Sequence, residues 1–485
     1  MTAIGYRQVN RGTRRTGRLR RGDPASYGSG MDRMADRVEF RLNGSTVTVG
    51  PDVSPTMTML HWLRGPAGLC GTKEGCAEGD CGACTVVIEE RDGGRTPVNA
   101  CLIALGQLHG ASVRTIEGIR GEAVQAAFAA GDATQCGFCT PGFVMAAWAH
   151  QRAGGDVHEA LAGNLCRCTG YRPIVEVVAA LPPDDQAGTP LPAPGPAEFS
   201  AGGCRFHRPT EMEAALALRA QHPAAWLLAG GTDSGVGLAQ GERPDRVICL
   251  SGVAELARVE HGADGLRLGA AVPYARLMRE IDTAGLGALR PLLARLGSRQ
   301  IRGLGTIGGN LGTASPIGDM LPPLLALDAT VRLRSLRGSR DLAVEQFLLG
   351  YRRTALQPDE IIDSVFLPRI PAGATLLCEK LSRRYDQDIS AVSAAFLLDP
   401  DGQTRLAFGG MGPVAVRARH AEAALAGEWS AAALERAAAA LAGDVSPLSD
   451  GRGTAAYRLA AAQGLLRRLW WRVAWPDLAA DVQAL

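Results

Sequence analysis

The sequence lacks long hydrophobic runs, a large net charge and an export signal. No window approaches the roughly 20 uncharged apolar residues that cross a bilayer, so we expect no membrane segment. The 485 residues carry a net charge of +2, and residues 1–30 hold seven Arg and one Asp, which leaves the rest of the chain slightly acidic. A slightly acidic protein surface does not attract nucleic acid electrostatically, so we expect no nucleic-acid partner.

The N-terminal segment differs from the rest of the chain. Residues 1–34 are rich in Arg, Gly and Ser and have no apolar periodicity, which predicts a disordered basic tail. No apolar run follows its arginines, as a secretory signal would require. A second atypical segment is rich in Pro, Gly and Ala and predicts an extended linker at residues 183–200.

The twelve Cys residues are unevenly spaced. Eight of them form two tight groups within the first 170 residues, and the other four occur singly. Thiolates that bind a metal centre must converge from tight turns, so we interpret the two groups as ligand sets. The single cysteines are interpreted as small buried hydrophobes, and Cys70 receives no role. Free thiolates at this density predict a reducing, cytoplasmic location.

The first group has the spacing of a plant-type ferredoxin. Cys76, Cys81 and Cys84 form C-x4-C-x2-C, and Cys101 follows after 16 residues, an arrangement that holds a two-iron two-sulfur cluster. Glycines alternate with the cysteines in GTKEGCAEGDCGAC, so the backbone can direct N–H groups at sulfur. On spacing alone, a four-Cys zinc site is the alternative.

The residues around this group predict a small half-open sheet. Asn43-Gly44 lies between two alternating apolar segments and predicts a type I′ hairpin. Ser54-Pro55 predicts the start of a short helix, and Cys101 is expected to open another. This is the layout of a plant-type ferredoxin.

The second group predicts a helical metal site. Cys136 and Cys139 form C-x2-C, and after 26 residues Cys166 and Cys168 form C-x-C. Apolar residues at helical spacing follow both pairs, with a proline near each helix start. We expect the thiolates at converging helix N-termini, where the macrodipole favours negative charge. Zinc is again the alternative, although a neighbouring ferredoxin-like unit favours a second redox centre.

Two glycine-rich turns, Ala229–Gly235 and Thr306–Asn310, predict cradles for a pyrophosphate, as in a dinucleotide such as FAD. The G-x-G-x-x-G pattern at residues 303–308 is not interpreted as a Rossmann fingerprint, because basic residues precede it and a loop follows it. Near the C-terminus, Ser430 is a predicted N-cap of an Ala-rich helix.

The motifs resemble those of the molybdenum hydroxylase family, and within it the iron–sulfur and FAD subunits of bacterial xanthine dehydrogenases. The resemblance covers nearly everything beyond the tail. It rests on GTKEGCAEGDCGACTV, QCGFCTPGF, GNLCRCTGYRPI, LLAGGTDSG, SRQIRGLGTIGGNLGTASPIGD, GYRRTALQPDEII and KLSRRYDQDISAV, which occur in family order.

The resemblance implies an α+β multidomain fold. Its expected parts are the tail at 1–34, a plant-type ferredoxin-like β-grasp domain at 35–115, a helical-bundle two-iron two-sulfur domain at 116–182, the linker at 183–200, a non-Rossmann, vanillyl-alcohol-oxidase-like α/β FAD-binding domain at 201–372, and a C-terminal α+β flavin-subunit domain at 373–485.

The resemblance also implies cofactor contacts. The eight grouped cysteines would ligate two 2Fe–2S clusters. FAD would contact Leu227, Leu228, Ala229, Gly230, Gly231, Thr232, Asp233, Ser234, Thr306, Ile307, Gly308, Gly309, Asn310, Asp319, Ile362 and Lys380. Tyr351 and Asp388 would lie near the flavin face that NAD approaches. The chain departs from the family at Gln387, where some relatives have a second Asp.

The implied function is electron transfer in a xanthine dehydrogenase. Purine would be oxidised at a molybdenum cofactor on a separate large subunit, and electrons would pass through both clusters to FAD and then NAD+. We expect two copies of each chain, an α2β2 heterotetramer. The alternatives are an aldehyde- or heterocycle-oxidising relative, a free-standing NADH-oxidising reductase, and a redox sensor or assembly module.

Replacing one candidate ligand should remove one cluster. In Cys84→Ala or Cys139→Ala, one set of visible and paramagnetic signals is expected to disappear while FAD still binds, because the flavin turns lie elsewhere in the chain. Absorption and EPR spectra with flavin analysis measure this. Two intact clusters in either variant would contradict the ligand assignment.

Overall fold

Alternating apolar residues and short turns build a multidomain α+β fold, as the sequence predicts. The computed structural model describes residues 35–184, 193–399, 404–427 and 429–475. The predicted tail at 1–34 lies outside these residues, and so do the last ten residues. Within the described ranges, every helix falls short of the length and hydrophobicity needed to cross a bilayer.

The first sheet surrounds the first cysteine group. Its elements are β1 (Glu39–Leu42), β2 (Ser45–Thr48), α1 (Met59–Arg64), β3 (Thr85–Glu89), β4 (Arg95–Asn99) and β5 (Ser112–Arg114). The strand order is β2-β1-β5-β3-β4, with β1 and β5 parallel. Asn43 and Gly44, at φ 52° and 85°, form the two-residue turn that the sequence predicts.

Two local predictions for this sheet are wrong. Ser54 does not cap the helix, because its hydroxyl lies 2.8 Å from that of Thr56 and the side chain of Thr58 accepts the N–H of His61 instead. Cys101 opens a turn, not a helix; the next helical segment is a 3-10 turn, Leu105–Leu108. At the helix start, the Thr58 hydroxyl takes the place of the predicted Ser54 cap.

The second cysteine group lies among four helices. These are α2 (Ala123–Ala130), α3 (Thr140–Ala153), α4 (Val157–Leu161) and α5 (Arg172–Ala179). The buried face of α3 packs with Val87 of β3 in one apolar cluster, so the helices rest on the first sheet. The guanidinium of Arg95 stacks 3.5 Å from the ring centre of Trp148.

The middle of the chain combines two sheets with short helices. Its elements are β6 (Ala197–Ala201), β7 (Cys204–Arg208), α6 (Met212–Gln221), β8 (Trp226–Leu228), α7 (Ser234–Ala239), β9 (Arg246–Cys249), β10 (Val259–His261), β11 (Gly265–Gly269), α8 (Tyr274–Glu280), α9 (Arg290–Ala294), α10 (Arg299–Leu304), α11 (Ile307–Thr313), α12 (Leu321–Ala326), β12 (Thr330–Ser335), β13 (Gly338–Ala343), α13 (Val344–Phe347), β14 (Leu348–Gly350), β15 (Arg353–Thr354) and β16 (Ile361–Pro368). The two sheets have the orders β6-β7-β9-β8 and β10-β11-β16-β12-β13, and β14 pairs with β15.

The predicted linker ends before residue 200, because a strand begins at Ala197. Residues 197–200 belong to β6, because Ala197 and Phe199 alternate into a buried face and pair with β7. Residues 185–192 of the linker lie outside the described ranges.

The C-terminal part packs helices on an antiparallel sheet. Its elements are β17 (Thr375–Leu381), β18 (Val392–Leu398), β19 (Arg405–Gly409), β20 (Val416–Arg417), α14 (Arg419–Ala424), α15 (Ala431–Ala440) and α16 (Ala455–Ala474). Ser430 caps α15 by accepting the N–H of Ala433, as predicted. Trp470 packs against Trp429, whereas Trp471 is exposed.

Helix α10 holds the modules together. Gly303 on α10 lies so close to β4 that a Cβ atom there would be 2.5 Å from Thr96. Two arginines of this helix, Arg299 and Arg302, both pair with Glu159 of α4. The same helix therefore contacts the first sheet and the four-helix region.

Phe206→Ala should destabilise the whole chain. Phe206 is fully buried in an apolar cluster shared by the first sheet and β6–β9, and it lies against Gly106. Removing a buried phenyl ring costs about 3–5 kcal/mol. We expect a clearly lower thermal unfolding midpoint, whereas Arg205→Ala, on the exposed face of the same strand, should change it little. Equal midpoints for the two variants would contradict this packing.

Candidate functional site

Backbone N–H groups surround the first cysteine of the first group. The thiol of Cys76 accepts N–H groups of Glu78, Asp80 and Cys81 at 3.4, 3.3 and 3.3 Å. The pKa of Cys76 is lowered to about 5, first by the hydrogen bond with the Cys81 thiol and then by these N–H groups, against the effect of burial. The loop thus stabilises a thiolate at Cys76.

The sulfurs of this group form two pairs. The thiols of Cys76 and Cys81 are hydrogen-bonded, and the Sγ atoms of Cys84 and Cys101 are 3.4 Å apart. The hydrogen bond within the second pair lowers the pKa of Cys84 and raises that of Cys101. Among the described residues, no three His, Cys, Asp or Glu side chains gather as ligands of one ion. Two pairs suit a two-iron cluster, in which each iron takes two thiolates, better than a single zinc ion with four ligands.

The second cysteine group is also paired. Cys139 contacts Cys166, and Cys136 contacts Cys168. Burial and then the Cys166 contact raise the pKa of Cys139 to about 12. Cys139 is the residue directly before α3, and Cys168 lies shortly before α5, so these thiols lie near helix N-termini as predicted. Cys136 and Cys168 are exposed to solvent.

The two cysteine groups are joined by backbone contacts. The N–H of Leu165, next to Cys166, donates to the carbonyl of Cys81 at 3.0 Å. Asn164 donates to the carbonyl of Gly82 at 2.9 Å. Gly82 has φ +66°, and a Cβ atom there would be 2.2 Å from the carbonyl oxygen of Gly163. This close approach requires glycine, and it holds the two groups side by side.

A cavity of about 940 Å³ lies beside the first cysteine group. Its volume is at the upper end of the range for cofactor sites. Most of the residues predicted to contact FAD line it, namely Leu227, Leu228, Ala229, Gly230, Gly231, Thr232, Asp233, Ser234, Thr306, Gly308, Gly309, Asn310, Asp319, Ile362 and Lys380. The fold therefore brings the two distant glycine-rich turns to one cavity.

The first turn lies against the end of α10, just before the second turn begins. A Cβ atom on Gly230 would be 1.7 Å from the carbonyl oxygen of Leu304, so the first turn can approach the end of α10 only without a side chain. Thr306 caps α11 by accepting the N–H of Gly309 at 3.0 Å. Gly309 is exposed to the cavity. Bare backbone at this place suits the close approach of a phosphate.

Polar groups at the cavity wall fit a dinucleotide. Within the described residues, the Tyr274 hydroxyl and the Asn310 Oδ1 atom are buried without a hydrogen-bond partner, and both residues line the cavity. Burial raises the pKa of Tyr274, so it stays a neutral donor. Lys380 is buried, with Nζ 2.7 Å from Asp319 Oδ2 and 2.9 Å from the carbonyl of Arg295. A bound FAD would supply partners for the two unpaired groups.

Two of the residues predicted to contact FAD or NAD do not line the cavity. The side chain of Ile307 is buried in the apolar core and does not line the cavity. Tyr351 is 63% exposed and also lies outside the lining, although its neighbour Arg352 pairs with Asp233 at 3.4 Å. Asp388 lines the cavity.

Family models match four stretches of the chain. They are a 2Fe-2S iron-sulfur cluster binding domain at residues 40–105, a [2Fe-2S] binding domain at 115–179, an FAD binding domain in molybdopterin dehydrogenase at 198–370, and a CO dehydrogenase flavoprotein C-terminal domain at 378–473.

The chain is also similar to whole enzymes in sequence and to a solved protein in structure. The chain is 33% identical to a xanthine dehydrogenase of Emericella nidulans over 90% of this chain and 38% of that protein. It is 32% identical to aldehyde oxidase 2 of Cavia porcellus over 85% of this chain and 38% of that protein. A solved carbon monoxide dehydrogenase of Hydrogenophaga pseudoflava matches with a TM-score of 0.52 and 29% identity, over 54% of this chain and 94% of that chain.

The chain belongs to the molybdenum hydroxylase family. It carries the iron–sulfur and FAD-binding modules of that family, and it spans about 38% of the length of the curated relatives.

Sequence reasoning missed several cavity residues of this molybdenum hydroxylase chain. Tyr274 carries no sequence signal, because it is a single aromatic residue at the start of α8. The sequence presents Glu78 and Asp80 only as parts of the cysteine loop, yet both line the cavity. Arg384 and Gln387 lie in the motif KLSRRYDQDISAV, where the sequence marks Gln387 only as a departure from the family and indicates no role for either side chain.

Gly309→Val should prevent FAD binding to this family member. A branched side chain would project from bare backbone into the cavity and block the pyrophosphate. Gly464→Val on α16, where a Cβ meets nothing within 4 Å, is the control and should retain flavin. Flavin content after purification measures the effect. Stoichiometric flavin in Gly309→Val would contradict the proposed site.

Proposed function

We propose that this chain transfers electrons from a molybdenum site on a separate large chain to FAD and then to NAD+, in the oxidation of hypoxanthine or xanthine. The eight grouped cysteines would hold two 2Fe–2S clusters, and the cavity would hold FAD. When bound, the clusters exchange single electrons and the flavin exchanges pairs.

One observation carries the proposal: the first cysteine loop and the flavin cavity share residues. Glu78 and Asp80 each donate a backbone N–H to Cys76 Sγ, and both also line the cavity. A cofactor in this cavity would thus be next to the ligand loop, without intervening protein layers.

The exposure of the second group supports the proposed order of transfer. Cys136 and Cys168 reach the surface, and the apolar side chains of Phe138, Leu165 and Tyr171 are exposed around them. An exposed metal site with an apolar rim suits a partner that docks there. The first group is linked to the second by the Cys81–Leu165 hydrogen bond and to the cavity by Asp80.

We assign the nicotinamide side to the region of Asp388 and Tyr351. Asp388 lines the cavity, and Arg352 next to Tyr351 pairs with Asp233 of the first turn. These side chains would orient the nucleotide, and none is required as a general acid or base. The predicted ligand sets and FAD contacts are part of this proposal, and so are the domain boundaries apart from the end of the linker, which β6 replaces.

We base the proposed substrate class on the substrates in the names of the similar proteins. A xanthine dehydrogenase is 33% identical, and an aldehyde oxidase is 32% identical, so aldehyde oxidation is the second candidate. We further propose an α2β2 assembly with a molybdopterin-binding chain, in the cytoplasm, where the free thiols would stay reduced.

The order of transfer can be tested with the two cysteine variants. NADH added anaerobically to Cys139→Ala should reduce the remaining cluster rapidly. In Cys84→Ala the second cluster should be reduced much more slowly, because the centre that connects it to the flavin is missing. Freeze-quench EPR measures both. Equally fast reduction in the two variants would contradict the proposed order.

The substrate is tested with the native complex. We expect a molybdenum-containing chain to co-purify and hypoxanthine to support NAD+ reduction. An aldehyde as the better substrate would favour the second candidate. The absence of any molybdenum-containing partner would favour a free-standing reductase or a redox sensor.

A further inference from the structure

Gln387 connects the C-terminal part of the chain to the three other modules. It lies in the loop between β17 and β18 and is 6% exposed. Its carboxamide reaches Asp80 in the first cysteine loop, Ala162 after α4, and Ser298, the cap of α10. It also lines the cavity.

The orientation of this amide follows from its neighbours. One end of the carboxamide faces two carbonyl oxygens, those of Asp80 at 2.6 Å and Ala162 at 3.3 Å, and the other end faces the Ser298 hydroxyl at 3.3 Å. Carbonyl oxygens only accept hydrogen bonds, so the amide nitrogen belongs at the first end. Gln387 therefore donates to Asp80.

The accepting carbonyl is part of a peptide group that also contacts a candidate ligand. The Asp80 carbonyl and the Cys81 N–H belong to one peptide, and that N–H donates to Cys76 Sγ at 3.3 Å. A hydrogen bond to the carbonyl polarises the peptide and strengthens the bond that its N–H makes. Gln387 thus acts on Cys76 sulfur through one peptide unit.

The loop is held so that Gln387 keeps this position. The Arg384 side chain donates to the Gln387 carbonyl at 2.7 Å and pairs with the Asp80 carboxylate at 3.3 Å. Asp388 accepts the backbone N–H of Arg384 at 2.8 Å. Gln387 itself has φ +48°, a left-handed conformation uncommon for a residue with a side chain.

We propose that Gln387 is a positioning residue that raises the reduction potential of the cluster bound by the first cysteine group, by polarising the Asp80–Cys81 peptide. The inference rests on the proposed function. Hydrogen bonds to cluster sulfurs stabilise the more negative, reduced state. A side chain of the C-terminal module would thereby adjust a redox centre in the ferredoxin-like module.

The test is an EPR-monitored redox titration of the full chain with both clusters and FAD bound. In Gln387→Met the equilibrium constant for reducing the first cluster should fall about threefold to tenfold, where tenfold corresponds to about 59 mV. The second cluster should titrate unchanged. The spectra of Cys84→Ala and Cys139→Ala assign the two signals.

Gln107→Met is the matched control. Gln107 also donates an amide hydrogen bond between modules, to the carbonyl of Ala229 at 3.1 Å, but it does not contact the Asp80–Cys81 peptide. Its removal should leave the first potential unchanged. If Gln387→Met does not fold, Gln387→Glu keeps the size of the side chain without the amide donor and should also lower the potential.

An unshifted potential in the folded Gln387 variant, or an equal shift in Gln107→Met, would overturn the inference. A chain without iron signals would instead overturn the proposed function, so the two failures are distinguishable.

Discussion

The loop that carries Cys76, Cys81 and Cys84 must approach other parts of the chain within van der Waals distance, and the rest of the structure depends on that closeness. At Gly79, φ is +83° and a Cβ atom would be 2.5 Å from Leu102. The same loop directs three N–H groups at Cys76. Small residues therefore do two things here: they expose backbone donors to sulfur, and they let the neighbouring modules approach.

The modules are arranged around this loop. The second cysteine group contacts it through Leu165, the flavin cavity through Asp80, and the C-terminal part through Gln387. Helix α10 fixes this arrangement because Arg299 and Arg302 share Glu159 while Gly303 lies against β4. In the proposed function electrons pass between carriers that must lie close together, and these contacts would keep the candidate cofactor sites close within one polypeptide.

The sequence predicted what depends on local chemistry. The cysteine spacing, the Asn43-Gly44 turn, the Ser430 cap and the two glycine-rich turns all appear in the structure where expected. Rejecting the Rossmann pattern was also right, since Gly303 lies inside α10. What was missed depends on tertiary contact: Tyr274 and Gln387 gain their positions from distant segments. The side chain of Ile307 is buried in the core, whereas Gly309, two residues on in α11, is exposed to the cavity. An FAD contact by the Ile307 backbone stays a prediction.

In the proposed function, the paired sulfurs hold iron and sulfide. The most direct measurement is the iron, acid-labile sulfide, zinc and flavin content of the chain isolated anaerobically after expression with ample iron. We expect two 2Fe–2S clusters and one FAD per chain, with two distinct EPR signals after reduction. A colourless chain that carries zinc in place of iron would contradict it.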